Sequence, residues 1–354
     1  MRLPDRNFWA GQRILVTGHT GFKGSWTSLW LERLGADVVG LSLPPEQEPN
    51  LFRLLAPFEG QDSRLVDVRD GPTVAELFRS CCPTLVLHMA AQPLVRRSYA
   101  SPADTFETNV MGTVSVLEAA RESESVQAIL VVTTDKVYEN NGSGTRFREG
   151  DRLGGTDPYS ASKVAAEVVT RSYAQSFLRP RGVSVATARA GNVIGGGDWS
   201  EDRLVADVWR AKEAGTQVQL RYPGATRPWQ HVLDPILGYL LCLEDLVRRP
   251  EAVPEALNFG PCLGDENVTV ADLVERLSAA MGLEMSWIAA PGPHPTESPA
   301  LALDATLAGE ALGWAPRLDS SAAVAWTAEW LQQHAAGSDM RAATVRQISR
   351  YEDL

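Results

Sequence analysis

Unbroken apolar runs recur along the chain with amphipathic stretches between them. Arg13-Ile14-Leu15-Val16 is followed by Val38-Val39-Gly40-Leu41-Ser42-Leu43, Arg64-Leu65-Val66-Asp67-Val68, Leu85-Val86-Leu87-His88-Met89, Ala128 to Thr133 and Ser184 to Arg189. Continuous runs of this kind are how strands covered on both faces read. Between them apolar residues return at helical spacing: Phe22, Trp26, Leu29, Trp30 and Leu34, stopped by Gly35, and later Phe106, Val110, Val114 and Leu117. This alternation predicts βαβ units and an α/β fold built on a doubly wound parallel sheet. After Arg189 the rhythm breaks into Gly191, Gly195, Gly196, Gly197 and Asp198, then an arginine- and tryptophan-bearing segment and further helices. A smaller mixed α/β domain is expected there, closing over the carboxyl ends of the strands.

The first run leads into Thr17-Gly18-His19-Thr20-Gly21-Phe22-Lys23-Gly24. The order is strand, glycine turn, helix. Gly18 permits the tight turn, Gly21 lets the backbone approach a pyrophosphate, and Gly24 allows the helix to pack closely on the strand. A glycine triplet alone is often only a loop, but this context points to nucleotide binding, with Thr20, Phe22 and Lys23 in the same turn. The second run ends without an acidic residue for a ribose and without an arginine for a 2′-phosphate. Missing positive charge favours NAD, with NADP the alternative. Asp67 ends the third run and can receive an adenine amino group; a solvated turn residue is the competing reading.

Tyr159 and Lys163 stand one helical turn apart, downstream of a strand-like run that ends in Thr133-Thr134-Asp135-Lys136. A phenol beside an ammonium can take a proton from a sugar hydroxyl, and an adjacent carboxylate and amine can move two more. Y-x-x-x-K on a helix is usually a surface pair, and Asp135-Lys136 can be a solvated strand end. The glycine loop and Thr134 in the same chain favour the catalytic reading. In an ideal strand Thr134 and Lys136 share a face and Asp135 points away, so the segment must leave strand geometry to present all three. A lysine serves as a base only if burial or a nearby cation lowers its pKa. Asn192, Arg203 and Arg227 are candidates for a nucleotide diphosphate, because guanidinium groups match phosphate oxygens. Trp199 and Trp229 can stack on sugar or base but are more often core. His88 and His231 read as packed histidines, and Asn109 as a structural amide.

A chain of 354 residues with 44% hydrophobic content can bury a large core in about two domains. Its net charge of −11 argues against a nucleic-acid surface. Arg96-Arg97 and Arg248-Arg249 read as solvated faces. Cys81, Cys82, Cys242 and Cys262 have no metal-ligand spacing, so they are expected to be reduced and mostly buried, with no metal. No stretch reaches membrane-spanning length and no export signal is evident, so a cytoplasmic protein is expected. The N-x-S/T sequons at Asn141 and Asn267 are then chance matches.

Taken together, Thr17 to Gly24, Asn109, Thr134 and the Tyr159–Lys163 spacing resemble the extended short-chain dehydrogenase/reductase superfamily over nearly the whole chain. Within it Val16 to Trp26, His88 to Val95, Arg189 to Trp199 and Arg227 to Val232 resemble the CDP-glucose 4,6-dehydratase family. The resemblance implies a Rossmann domain over residues 1–190 with 227–258 returning to it. Residues 191–226 and 259–336 would bind a nucleotide sugar, and 337–354 would form a helical tail. It implies a hydro-lyase with tightly bound, recycled NAD, held by Gly18, Thr20, Gly21, Phe22, Lys23, Gly24, Asp67, Val68, Ala90, Ala91, Tyr159 and Lys163. Thr134, Asp135, Lys136, Tyr159 and Lys163 would be catalytic: Tyr159 the base at the C4 hydroxyl, Asp135 the acid at C6, Lys136 the base at C5. Gln92, Asn192, Arg203 and Arg227 would contact the substrate, CDP-glucose. A homodimer through the helices around Phe106 and Tyr159 is also implied. Glu139 to Glu149 and His294 to Ser298 depart from the family pattern, which bears on the sugar and nucleotide. An epimerase would share Tyr159 and the cofactor without needing the acid–base pair, and a non-catalytic nucleotide sensor would keep the glycines and lose Tyr159 or Lys163.

Overall fold

In the computed structural model, which describes residues 2–354 apart from 57, 59–60, 143, 285, 293 and 295–299, the apolar runs become strands of one sheet. They are β1 (Arg13–Thr17), β2 (Asp37–Ser42), β3 (Asp62–Leu65), β4 (Leu85–His88), β5 (Ala128–Val132), β6 (Ser184–Ala190) and β7 (Ala256–Phe259). Every pairing is parallel and the order is β7-β6-β5-β4-β1-β2-β3. The order reverses between β1 and β4, the switch point at whose carboxyl edge such sheets bind ligands.

Alternate residues of each strand enter separate cores on the two faces. Ile14, Val16, Leu85, Leu87, Leu130 and Val132 face one side with helices α1 (Phe22–Leu34) and α6 (Leu233–Arg248). Leu15, Val86, Ile129 and Val131 face the other, with α2 (Gly71–Cys81), α3 (Gly112–Glu122) and the end of α4 (Pro158–Tyr173). Burial on both faces is why these strands carry no polar alternation. The exception is β3, an edge strand whose four residues are all exposed. It starts earlier than its apolar run suggested, which leaves Asp67 in the loop beyond it.

The helix expected around Phe106 is interrupted. Pro102–Phe106 is α-helical, Glu107–Met111 is a π-helical turn, and α3 follows. The wider turn rotates the buried face, so Asn109, Thr113, Val116 and Leu117 point inward while Phe106 and Met111 are exposed.

Beyond β6 lies the smaller lobe. It holds α5 (Leu204–Ala214), α7 (Val270–Ala280) and α8 (Ser320–Ala335), with short parallel pairs Val193–Ile194 with Gln230–His231 and Val218–Leu220 with Trp287–Ala289. Between these, α6 packs on β5 and β6, and β7 joins the main sheet at its edge. Residues 337–354, expected as a tail, contain the docked helix α9 (Met340–Glu352). Tyr351 is fully buried and donates its hydroxyl to Asp234 at 2.6 Å; Trp30 Nε1 donates to Glu352 at 2.8 Å. Of the proline-rich segment 291–295, residues 293 and 295 lie outside the described residues, as do 295–298 of the His294 to Ser298 departure and residue 143 of the Glu139 to Glu149 loop.

Candidate active site

A cleft of about 740 Å³ opens at the carboxyl ends of the strands, between the sheet and the smaller lobe. One end is built by the glycine turn. Gly18 has φ +77°, and a Cβ there would stand 2.9 Å from the Ala90 nitrogen; a Cβ on Gly24 would stand 2.1 Å from the Gly18 carbonyl oxygen. Only glycine lets α1 begin this close to β1. Thr17 fixes the facing loop: its hydroxyl oxygen accepts from the Met89 and Ala90 amides, both at 3.0 Å, and lies 2.7 Å from His88 Nδ1. The other His88 nitrogen meets Thr113 at 3.0 Å, so His88 is a packed histidine, held neutral by burial with its pKa pushed down to about 3.

The sequence-predicted cofactor residues Gly18, Thr20, Gly21, Phe22, Lys23, Gly24, Asp67, Val68, Ala90 and Ala91 all line this cleft. Thr20 turns its hydroxyl to Ser42 and to the Leu43 carbonyl, so its side chain ties the turn to β2. Asp67 is held by Arg69 through its backbone amide at 2.9 Å and its guanidinium at 2.6–3.0 Å, which keeps the carboxyl below its usual range. Lys23 reaches Tyr239 Oη at 3.4 Å; burial, then the charge of Arg203, lowers its pKa to about 8, with Asp135 opposing.

At the other end α4 starts under tight control. Asp157 caps it through the Ser160 amide at 2.9 Å, Pro158 occupies the first turn, and the Tyr159 amide donates to Ser98 Oγ at 3.1 Å. Tyr159 and Lys163 are buried on the face toward β5, and Lys163 Nζ donates to the Val132 carbonyl at 3.2 Å. Burial pushes the Tyr159 phenol up to about 12, while Thr134 and the Arg203 charge draw it down. Burial lowers Lys163 to about 8, against the opposing charge of Glu167.

The strand-geometry difficulty at Thr134 is resolved by where β5 stops. It ends at Val132, and Asp135–Val137 forms a 3₁₀ turn capped by Thr134, whose hydroxyl accepts from the Lys136 amide at 3.4 Å. Thr134, Asp135 and Lys136 therefore all line the cleft. Thr134 Oγ1 donates to Asp135 Oδ1 at 3.0 Å, and the other carboxylate oxygen, buried, has no hydrogen-bond partner among the described residues. An unsatisfied oxygen facing a cleft suits a hydroxyl-bearing ligand.

Gln92, expected to contact substrate, lines the cleft with its side-chain amide already engaged. Its amide nitrogen donates to the Leu94 carbonyl at 3.1 Å and to Thr105 Oγ1 at 2.9 Å, and its oxygen accepts from the Leu94 amide at 2.6 Å. With its amide committed to the 92–94 turn, Gln92 shapes the wall of the cleft. Asn109 braces the same turn, exchanging hydrogen bonds with the Gln92 backbone and donating to Ser162 at 2.8 Å. Asn192, Arg203 and Arg227 converge on the cleft. Trp199 lines it but is nearly buried against Trp330 and His334, and Trp229 is buried likewise, so both are core. His231 is buried between Trp26 and Trp326.

Several cleft residues carried no signal in sequence. Arg96 and Arg97, read as a solvated pair, line the mouth and bind Asp202 at 2.6 Å and Glu46 at 2.8 Å. Arg221 meets the same Asp202 at 3.0 Å. For Arg96 and Arg97 the clue was position, shortly after the Ala90-Ala91-Gln92 loop. Cys82 is exposed and Cys262 half-buried, so only two of the four thiols are fully inside. Among the described residues no group of three or more His, Cys, Asp or Glu is clustered for a metal, and no helix is long and apolar enough to cross a membrane.

The wider likeness agrees with this geometry. The chain is 42% identical over 353 residues to the CDP-glucose 4,6-dehydratase of Salmonella typhimurium, covering 98% of each chain. It is 31% identical over 271 residues to the dTDP-glucose 4,6-dehydratase of Streptomyces antibioticus, covering 76% of each. Its fold matches the UDP-glucose 4-epimerase of Thermus thermophilus in complex with NAD at a TM-score of 0.78 and 27% identity, over 90% of this chain and 98% of that one. Residues 14–260, from β1 to the end of the main sheet, match the NAD dependent epimerase/dehydratase family. A glycine turn at the switch point, a buried tyrosine and lysine one turn apart and a likeness running the length of the chain place this protein in the NAD dependent epimerase/dehydratase family.

Proposed function

We propose that the chain is a nucleotide-sugar 4,6-dehydratase that converts CDP-glucose to CDP-4-keto-6-deoxyglucose and water. The observation that carries this reading is the 3₁₀ turn after β5, which sets Asp135 and Lys136 beside Tyr159 in one cleft. An epimerase needs the tyrosine but no such acid–base pair. The near full-length likeness to the Salmonella CDP-glucose enzyme supports the choice of nucleotide and sugar.

The glycine turn and the start of α1 fit a dinucleotide pyrophosphate, since a Cβ at Gly18 or Gly24 would fill the space where backbone must approach. NAD bound there by residues 18–24, Asp67, Ala90 and Lys163 supplies a hydride acceptor that later returns the hydride. Tyr159 takes the C4 hydroxyl proton, assisted by the cationic groups about it, and Thr134 hydrogen-bonds the C4 oxygen. The ketone so formed makes the C5 proton acidic. Lys136 removes that proton and Asp135 donates one to the departing C6 hydroxyl, so water leaves across C5 and C6. A proton goes to C5, and the hydride that bound NAD would return goes to C6. Arg203 and Arg227 hold the diphosphate with Asn192 beside them.

CDP-glucose deuterated at C4, incubated with the protein and NAD, should yield a keto sugar with the label in its C6 methyl group. Label lost to solvent, or a C4 epimer in place of the keto sugar, overturns the reading. We also propose a homodimer through α4 and the π-interrupted helix, supported by exposed Phe106, Met111 and Val168 on these neighbouring elements. Light scattering on Met111→Glu should then show a shift to monomer, and an unchanged mass would refute this interface.

A further inference from the structure

Behind the catalytic face lies a buried ionic cluster that the mechanism above does not use. Glu167 sits one turn after Lys163 on α4 and is buried with Arg189 of β6, the two charged groups 2.8 Å apart. Its Oε1 accepts from Thr133 Oγ1 at 2.6 Å and from Arg189 Nε at 2.9 Å; its Oε2 accepts from Arg189 Nη2 at 2.8 Å and from Thr187 Oγ1 at 3.0 Å. One carboxylate thus joins α4, β6 and the end of β5, where Thr133 directly precedes Thr134 and Asp135. Burying an ion pair is costly, and apolar residues of similar volume often serve stability as well or better. Packing alone does not explain this cluster at this position.

We propose that Glu167 is a positioning residue, holding the Thr133 end of β5 in register for Thr134 and Asp135 and maintaining the positive charge of Lys163. The geometry supports both parts. Lys163 is buried, donates only to the Val132 carbonyl among the described residues, and has no carboxylate within ion-pair distance. Around it stand Lys23 from α1, His88 from β4, and Tyr159 and Glu167 from its own helix. His88 is neutral and Lys23 is a like charge, which leaves Glu167 as the negative group that favours the ammonium. Lys163 and Tyr159 are neighbours at i and i+4, so a charged lysine eases ionisation of the phenol. Removing the Glu167 charge therefore lowers the proton affinity of Lys163.

The effect on turnover rests on the dehydratase reading, but the effect on Lys163 does not, and the test separates them. In NAD-loaded protein without sugar, Lys163 is titrated against pH by the NMR shift of its isotope-labelled side chain, with Lys163→Met identifying the signal. Glu167→Gln should move the Lys163 midpoint downward by about one pH unit, roughly a tenfold change in ionisation. Because Glu167→Gln leaves Arg189 charged and buried, the double variant E167Q/R189M, which has no orphaned charge, is read if the single one fails to fold; it should shift the midpoint in the same direction by less, since the Arg189 charge opposes that of Glu167. Thr133→Val keeps the carboxylate; it should leave the midpoint in place and slow water loss from CDP-glucose more than C4 oxidation. A midpoint unmoved in either charge-removing variant, with only the melting temperature lowered, overturns the charge role. A Thr133→Val variant with both steps at parental rates overturns the strand-end role. CDP-glucose left unchanged by the parent protein refutes the substrate reading and leaves the titration result standing.

Discussion

In the proposed mechanism the chemistry turns on Tyr159, because a phenol pushed up to about 12 by burial works as a base only with help from Thr134 and nearby positive charge. Tyr159→Phe should reduce turnover by about 10²–10⁴-fold, the usual worth of a general base, while NAD still binds. Turnover close to the parent's would remove Tyr159 from the mechanism. Asp135→Asn should slow water loss more than C4 oxidation, so reduced cofactor accumulates transiently in stopped-flow absorbance; equal slowing of both steps would rule out the acid assignment. These residues were legible because they are local: Tyr159 and Lys163 share one helix, and Thr134 to Lys136 share one turn. Gln92 and Glu167 were not, for a common reason. Their roles depend on partners brought from other segments, Thr105 and Leu94 for the first, Thr133, Thr187 and Arg189 for the second. A side chain's type says what bonds it can make, and only the fold says whether they are already used.

At the scale of elements, the strand–glycine–helix unit was readable because glycine spacing and backbone clearance are the same fact. Gly24→Ala places a methyl group 2.1 Å from the Gly18 carbonyl oxygen, so the turn must shift. NAD affinity should fall by about tenfold or more, measured by calorimetry, since a displacement here moves backbone amides that face the pyrophosphate. Affinity within a factor of about two of the parent's would show that the turn tolerates the shift. The helix through Phe106 was read correctly as a helix and incorrectly in its face. Period 3.6 counts forward from Phe106 to Val110 and Val114, but the π turn at Glu107–Met111 adds a residue and delivers Asn109 and Thr113 inward instead. Such a turn leaves no mark in the pattern of apolar residues. Strand β3 was misplaced for the opposite reason: at an exposed edge nothing forces an apolar run, so Val66 and Val68 beyond it looked more strand-like than Asp62 to Arg64.

For the whole molecule, the deciding joint is where the C-terminal helix α9 meets the body of the fold at Asp234. This carboxylate, fully buried in the first turn of α6, accepts through Oδ1 from the Tyr351 hydroxyl at 2.6 Å and the Arg317 amide at 2.8 Å, while Oδ2 has no hydrogen-bond partner among the described residues. Its backbone carbonyl accepts from Trp314 Nε1 at 2.9 Å, so one residue fastens three segments distant in sequence. Burial pushes the Asp234 carboxyl up from 3.8 to about 7, with the Arg317 amide and Tyr351 only partly opposing. The native state therefore holds a proton that the unfolded chain releases. Below the unfolded value both states are protonated and the contribution is whole; as pH rises toward about 7 it is progressively lost. The slope from this group reaches about 1.4 kcal/mol per pH unit between the two values. Asp234→Asn keeps the Oδ1 acceptor and cannot ionise. Denaturant midpoints measured from about pH 4 to about pH 8 should therefore converge at the acid end and favour the variant at the alkaline end. Parallel curves would mean that the native carboxyl is already ionised, stabilised by Arg317 and Tyr351 more strongly than burial opposes it.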